Sequence, residues 1–419
     1  MSMGTILSGM RPTGRLHIGH LSVLENWARM QHDYNCYFMV ADLHSLTTKF
    51  DETETLPQDI RQMVLDWLAT GIDPARSAVF VQSAVKEHAE LHLYLSMNIP
   101  LSWLERCPTY KDQVAQFGQQ GKDITTYGFL GYPLLMAADI LLYLSDTVPV
   151  GEDQLPHMEI AREIARRFNF LYKTELFPEP KALLGKFPLV PGIDGRKMSK
   201  SYHNDIAISA DSSEVKKQVN SMVTDPARVK RDDPGHPEVC IVHKYQEIYN
   251  NNLLEYIQKT CRSAERGCVN CKGELFEVVE AMLAPLRERR AKYEDNSYAA
   301  LRRYLLEVKS AEAGGNAGID NAAAKTAGDS EERLAETVVQ KFKGFSAAAN
   351  RKEKNYLREI GQDIINDYVN GVVSLAEVES ILASRMDLIG LILLKGNERA
   401  RRAAMQTIAR VREAMNLRY

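Results

Sequence analysis

Along the first half of the chain the spacing of apolar positions switches repeatedly between a strand period and a helix period. Thr5-Ile6-Leu7-Ser8-Gly9, Asn35–Val40, Ala78–Val81, Thr147–Val150 and Phe187–Val190 are short apolar runs that predict strands. Between them lie helical patterns. Leu21, Leu24, Trp27 and Met30 form one stripe. Ile60, Val64 and Leu68 mark one face of a helix over Pro57–Thr70, ended by Gly71 and Pro74. Glu87–Met97 and the strongly apolar Pro133–Leu144 follow. Gln154–Phe168 then carries acids at its start and Arg162, Arg166 and Arg167 near its end, the order a helix dipole favours. The β-α-β-α rhythm predicts an α/β fold, a Rossmann-like parallel sheet with helices on both faces.

The remainder reads differently. Residues 111–126 turn polar and glycine-containing, which predicts a mobile surface loop. From about Ser212 the pattern is mainly helical. Ala311–Ser330 is rich in Ala, Gly, Asn and Asp and reads as a flexible linker. Leu334–Phe342, Leu357–Val369 and Val378–Leu394 are amphipathic helical patterns. The expected division is a Rossmann-like catalytic domain over 1–205, a helical domain over 206–300, a helical insertion over 301–394 containing the linker 311–330, and an Arg-rich C-terminal helix over 395–419. That last helix carries Arg399, Arg401, Arg402, Arg410, Arg412 and Arg418; either it meets nucleic-acid phosphate or it is a solvent-facing amphipathic helix.

Composition narrows the class. With 45% hydrophobic and 26% charged residues the chain reads as an ordinary soluble protein. A net charge of only −3 means that a nucleic-acid partner would be met by local basic patches. The apolar runs around Leu134–Leu144 and Leu388–Leu394 are too short or interrupted to span a bilayer, and Met1–Thr5 shows no secretory pattern, so a cytoplasmic location with no membrane partner is expected.

Two stretches carry the chemistry. Pro12-Thr13-Gly14-Arg15-Leu16-His17-Ile18-Gly19-His20 is the turn from the first strand into the first helix, where backbone N–H groups and the positive helix end face a phosphate. Gly19 lets a nucleotide lie against the backbone, and His17 and His20 can donate to phosphate oxygens. Far downstream, Lys197-Met198-Ser199-Lys200-Ser201 places two compact cations three residues apart, suited to charge developing on a triphosphate. Asp139 is a carboxylate inside a helix with apolar neighbours, costly unless a specific donor meets it. Cys240, Cys261, Cys268 and Cys271 crowd together, and four thiolates with one close pair suit a 4Fe–4S cluster or tetrahedral zinc, with free thiols as the other possibility. His88 and His92, four apart on a helix without a third ligand nearby, read as a solvated face. The glycines at 314, 315 and 318 lack a preceding strand and are discounted as a phosphate loop.

The paired motifs resemble those of the class I aminoacyl-tRNA synthetases. Tyr132–Tyr143 and Val148–Gln154 are similar to segments of the bacterial tryptophanyl branch of that family, over residues 3–300 and again near Gly396–Leu417. The resemblance implies that ATP, with Mg2+, is held by Arg11, Pro12, Thr13, Gly19, His20, Gly151, Glu152, Asp153, Val190, Lys197, Met198, Ser199, Lys200 and Ser201. His17 would lie near the phosphates, and His17, His20, Lys197 and Lys200 would be catalytic. Arg11 departs from the glutamine that many relatives carry. Asp139 would accept an indole N–H, and His44, Tyr132, Met136 and Gln154 would complete the pocket for L-tryptophan. The reaction implied is formation of tryptophanyl-adenylate and transfer to the 2′-hydroxyl of tRNA(Trp), by a homodimer, without a general base. The 206–300 unit would bind the anticodon, its four cysteines holding a structural cluster. The alternatives are a tyrosine-specific relative or another His-x-Gly-His nucleotidyltransferase, and a non-catalytic RNA-binding paralogue, which would have lost motif lysines or histidines.

Overall fold

The computed structural model describes residues 4–119, 121–185, 190–295, 298–315, 364, 367, 374, 378 and 388–417. Five strands form one sheet: β1 (Thr5–Met10), β2 (Asn35–Val40), β3 (Ala78–Val81), β4 (Thr147–Val150) and β5 (Lys181–Leu184). All neighbours are parallel, in the order β3-β2-β1-β4-β5. The order reverses between β1 and β4, and in open parallel sheets a ligand binds at the carboxyl ends of the strands where that reversal opens a crevice. Three expected strands, β2, β3 and β4, have the bounds their apolar runs gave. β5, in Lys-Ala-Leu-Leu, gives too short an alternation to stand out and finds its place by pairing with β4. Of the expected strand Phe187–Val190, only Val190 is described; it sits in the core beside Met198.

Helices cover both faces. α1 (Leu21–Met30), α2 (Asp42–Lys49), α3 (Leu56–Ala69) and α4 (Glu87–Ser96) separate the first three strands and follow β3. α5 (Leu101–Glu105), α6 (Pro108–Gln119), α7 (Tyr127–Leu130) and α8 (Tyr132–Leu142) precede β4, and α9 (Leu155–Tyr172) follows it. The 111–126 stretch is thus helical through Gln119, where a loop was expected; polar residues at helical positions face solvent on a surface helix just as they do in a loop.

The helical part contains α10 (Ser212–Ser221), α11 (Ile241–Tyr249), α12 (Leu254–Arg262), α13 (Cys268–Glu294) and α14 (Tyr298–Gly315). α14 takes in the start of the expected linker and Gly314 and Gly315, while 316–330 and the pattern Leu334–Phe342 lie outside the described residues, as does most of Leu357–Val369 and Val378–Leu394. One continuous core joins α1 and α3 on the sheet face (Leu24, Trp27, Met63, Trp67) to Val215, Val242, Leu275, Val279 and Leu283 of the helical part. The second core, on the other face, gathers α4, α8, α9 and the last helix.

That last helix, Leu388–Ala414, returns to the sheet. It lies on the edge strand β3 so closely that a Cβ on Gly396 would be 1.8 Å from the Val79 carbonyl oxygen, and the Asn397 side chain accepts the Val81 N–H at 2.9 Å. The helix is amphipathic as expected, with Arg401 and Arg412 exposed opposite buried Ala400, Ala404, Ile408 and Val411, and three of its arginines also have partners in the fold. Arg399 donates to the Arg76 carbonyl and to Asn35, and Arg401 and Arg412 pair with Glu87 and Glu90 on α4. An amphipathic helix with an unpaired sheet edge nearby covers that edge.

Candidate active site

A cavity of about 350 Å³ opens at the β1/β4 reversal. Ser8, Gly9 and Met10 of β1 and Val148–Val150 of β4 form its floor; Arg11 and Gly151 continue it. The close approach there needs Gly9, since a Cβ would meet the Met39 carbonyl oxygen at 2.7 Å. The five residues expected to hold the amino acid, His44, Tyr132, Met136, Asp139 and Gln154, all line this one cavity.

Asp139 is nearly fully buried and heavily supported. His44 Nε2 lies 2.8 Å from its Oδ2, His88 Nδ1 2.7 Å from its Oδ1, and Gln82 Nε2 donates to both oxygens at 2.8 and 3.0 Å. Burial alone would raise this carboxyl, but the hydrogen bonds and charge of His44 and His88 outweigh it and hold it down at about 2. With the Gln82 amide bridging both oxygens, each oxygen already has two contacts, so a further N–H enters by taking over one that Gln82 shares.

His88 is therefore not on a solvated face. It is buried and bridges Asp139 to the Tyr143 hydroxyl at 2.9 Å, while His92 is half-buried against the Tyr127 ring. The signal was in the sequence: His88, Leu91 and Leu95 fall on one helical stripe, which is the inner face of α4. Gln82, in a single turn after β3, and His157, whose Nε2 lies 2.8 Å from the Tyr132 hydroxyl, gave no such signal.

The two motifs are tied together. The Lys200 ammonium donates to the Thr13 carbonyl, the Ile18 N–H to the Ile206 carbonyl at 2.9 Å, and the Ile208 N–H to the Leu16 carbonyl at 2.8 Å. His17 and His20 face each other with ring centroids 4.0 Å apart, and His17 Nδ1 is buried with no hydrogen-bond partner among the described residues. Burial, then the nearby charge of His20 and Lys200, pushes His17 down to about 3; burial also lowers His20 and Lys200. Burial thus favours the neutral form of both rings, and a neutral imidazole carries one N–H donor.

The lysine loop is shaped by Asn204, which sequence reasoning missed. Its side chain accepts the Ser199 N–H at 2.8 Å and donates to Asp194 and the Lys197 carbonyl. A Cβ on Gly192 would collide with it at 2.2 Å, and Gly195 turns with φ +85°. Lys197 is exposed, Met198 is buried against the Gly19 region, and Ser201 falls in the short turn Lys200–Tyr202. Pro12 is buried, Glu152 is exposed, and Asp153 lies in the turn Glu152–Gln154 before α9.

The four cysteines start or lie within three successive helices: Cys240 precedes α11, Cys261 is in α12, and Cys268 and Cys271 open α13. Burial raises Cys240, Cys261 and Cys271, the last to about 11, and each feels the charge of others in the set. As soft donors they fit a metal or cluster; in arrangement they do not, for among the described residues no three His, Cys, Asp or Glu side chains could hold a metal ion. Nor, among those residues, is any helix long and apolar enough to cross a membrane.

Comparison with known proteins follows the same lines. The family described as tRNA synthetases class I (W and Y) matches residues 3–284. A tryptophan–tRNA ligase of Thermotoga maritima is 50% identical over 297 residues, 70% of this chain and 90% of that protein. One from Ralstonia nicotianae is 42% identical over 362 residues, again covering 70% and 90%. A crystal structure of tryptophanyl-tRNA synthetase from Campylobacter jejuni, complexed with ADP and tryptophan, superposes with a TM-score of 0.67 at 27% identity, covering 98% of this chain and 99% of that one.

Proposed function

The chain belongs to the class I tRNA synthetases of tryptophan and tyrosine, and we propose that its β1/β4 cavity is the site where tryptophan and ATP react. It is a tryptophan–tRNA ligase: it activates L-tryptophan with Mg-ATP and passes the acyl group to tRNA(Trp). One observation carries the assignment of residues. A single cavity holds a buried, ionised Asp139 among His44, Tyr132, Met136 and Gln154; Arg11 at its edge leads directly into the first motif, which Lys200 of the second contacts at Thr13.

Asp139 accepts the indole N–H, and a side chain without that donor leaves the carboxylate short of a partner in a buried place, which discriminates strongly. The tryptophan carboxylate oxygen attacks the α-phosphorus, the bond to the bridging oxygen breaks, and pyrophosphate leaves with the electron pair. Lys197 and Lys200 follow the charge that develops on the leaving phosphates, and neutral His17 and His20 donate N–H to phosphate oxygens. Thr13, Gly19, Met198, Ser199 and Ser201 shape the phosphate end; Arg11, Pro12, Gly151, Glu152, Asp153 and Val190 serve the nucleoside side. The terminal 2′-hydroxyl of tRNA then attacks the adenylate carbonyl and AMP departs. Positioning and charge stabilisation suffice, so no general base is required.

Amino-acid-dependent pyrophosphate exchange tests this directly. Exchange with tryptophan and not tyrosine is expected; exchange with tyrosine alone would overturn the specificity, and none with any amino acid the activity.

For Cys240, Cys261, Cys268 and Cys271 the reading is a structural 4Fe–4S cluster; four soft donors on three successive helices favour it, and their arrangement among the described residues, which forms no ligand set, speaks against it. Iron and acid-labile sulfide after anaerobic purification are expected. Stoichiometric zinc without iron would assign tetrahedral zinc instead, and neither would leave free thiols.

A further inference from the structure

Asp66 and Arg290 form a buried ion pair that touches neither the cavity nor the motif side chains. Asp66, on α3, is fully buried, and Arg290, near the end of α13, is 7% exposed. The Arg290 guanidinium donates to Asp66 Oδ1 and to the side chain of Gln62 one turn earlier. Asp66 Oδ2 accepts the backbone N–H of Leu16 at 2.6 Å. Leu16 is the residue before His17, and its own carbonyl accepts from Ile208, beyond the lysine loop. Three residues before Arg290 on α13, Arg287 donates to the Ala210 carbonyl at 3.0 Å. α13 is 27 residues, or about 40 Å, long. Its final turns thus reach the first motif through Asp66 and the segment after the lysine loop at Ala210, while its first turn carries Cys268 and Cys271.

A buried ion pair is weak evidence for stability, because desolvation offsets most of the attraction and a well-packed apolar pair often does as well. What apolar groups cannot supply is a fixed acceptor for the Leu16 N–H, and with it a fixed place for the next residue's imidazole. On the reading that His17 serves ATP, we propose that Asp66 and Arg290 are positioning residues. Together they set the His-Ile-Gly-His turn from the end of α13, so ATP use depends on a pair that contacts no substrate. The displacement involved is small, yet misplacing a catalytic group by about 1 Å costs on the order of 10²-fold.

The test uses the full-length protein in tryptophan-dependent pyrophosphate exchange, with tryptophan binding measured separately by equilibrium dialysis. Arg290→Met and Asp66→Asn are expected to lower kcat about 10- to 100-fold and raise KM for ATP, leaving the tryptophan Kd within about twofold. The double variant Asp66→Leu/Arg290→Met replaces charge with apolar volume. It is expected to recover thermal stability while its ATP parameters stay impaired, a separation that a merely structural pair would not give. Wild-type ATP kinetics in the folded double variant would overturn the proposal, as would tryptophan affinity falling in step with ATP affinity in every variant. Wild-type protein that fails to exchange would overturn the functional reading itself, so the two failures are distinct.

Discussion

Asp139 shows how a single charge is kept inside an apolar helix. Against the opposing effect of burial, the hydrogen bonds and charge of His44 and His88 hold the carboxyl at about 2, below the ordinary value near 3.9. The folded state therefore keeps it ionised where the unfolded chain would protonate, and this contribution is present above about pH 4 and lost as pH falls toward 2. Urea unfolding across that interval should show a shallower loss in Asp139→Asn than in wild type. The same substitution is expected to lower kcat/KM for tryptophan by about 10²-fold or more, because the amide NH2 meets one of His44 and His88 with a donor where an acceptor is needed and the charge is lost. His17 behaves in the same sense at a higher pH. Burial holds it at about 3, so the unfolded chain takes up a proton near 6.5 that the folded chain refuses, and stability falls as pH drops from about 6.5 toward 3. His17→Gln should flatten that part of the stability profile in circular-dichroism melts. Lys200→Ala should reduce exchange kcat by about 10²-fold while leaving tryptophan affinity near wild type, since its ammonium reaches Thr13 and the phosphate end rather than the amino-acid pocket.

At the scale of elements, the last helix starts earlier than expected, at Leu388, and packs on the sheet edge. Gly396 permits it to lie on β3, Asn397 satisfies a strand N–H, and Arg401 and Arg412 clamp α4. Those two arginines therefore bear on the helix that carries His88, one residue after Glu87. Gly396→Ala forces a methyl into the Val79 carbonyl, and the resulting overpacking is expected to destabilise the fold by about 1–3 kcal/mol, read as a lower urea midpoint. The strands and helices that were legible in the chain share a property: each buries a continuous run or stripe of its own. Ala78–Val81 is four apolar residues and was found; Lys181–Leu184 is largely exposed and became a strand only because β4 offers it an edge. The 111–126 stretch failed for a related reason, since a surface helix with few apolar positions has little periodicity to read.

Over the whole molecule, the continuous core from the sheet through α3 to α13 joins the expected catalytic and helical parts without a break. The family's usual homodimer predicts a solution mass near 95 kDa, twice 47.3 kDa, in sedimentation equilibrium. The chain by itself was enough to point to the family and to its parallel sheet. The His-Ile-Gly-His and Lys-Met-Ser-Lys-Ser motifs, an aspartate in an apolar helix and the parallel-sheet rhythm are local patterns, because residue type and spacing are what motif recognition and strand or helix burial require. Only the tertiary structure decided which residues support them. Gln82, His88, Asn204 and the Asp66–Arg290 pair act through partners as far as 224 positions away in the chain. Such a partner is set by how helices pack, a choice that no local run of residues encodes.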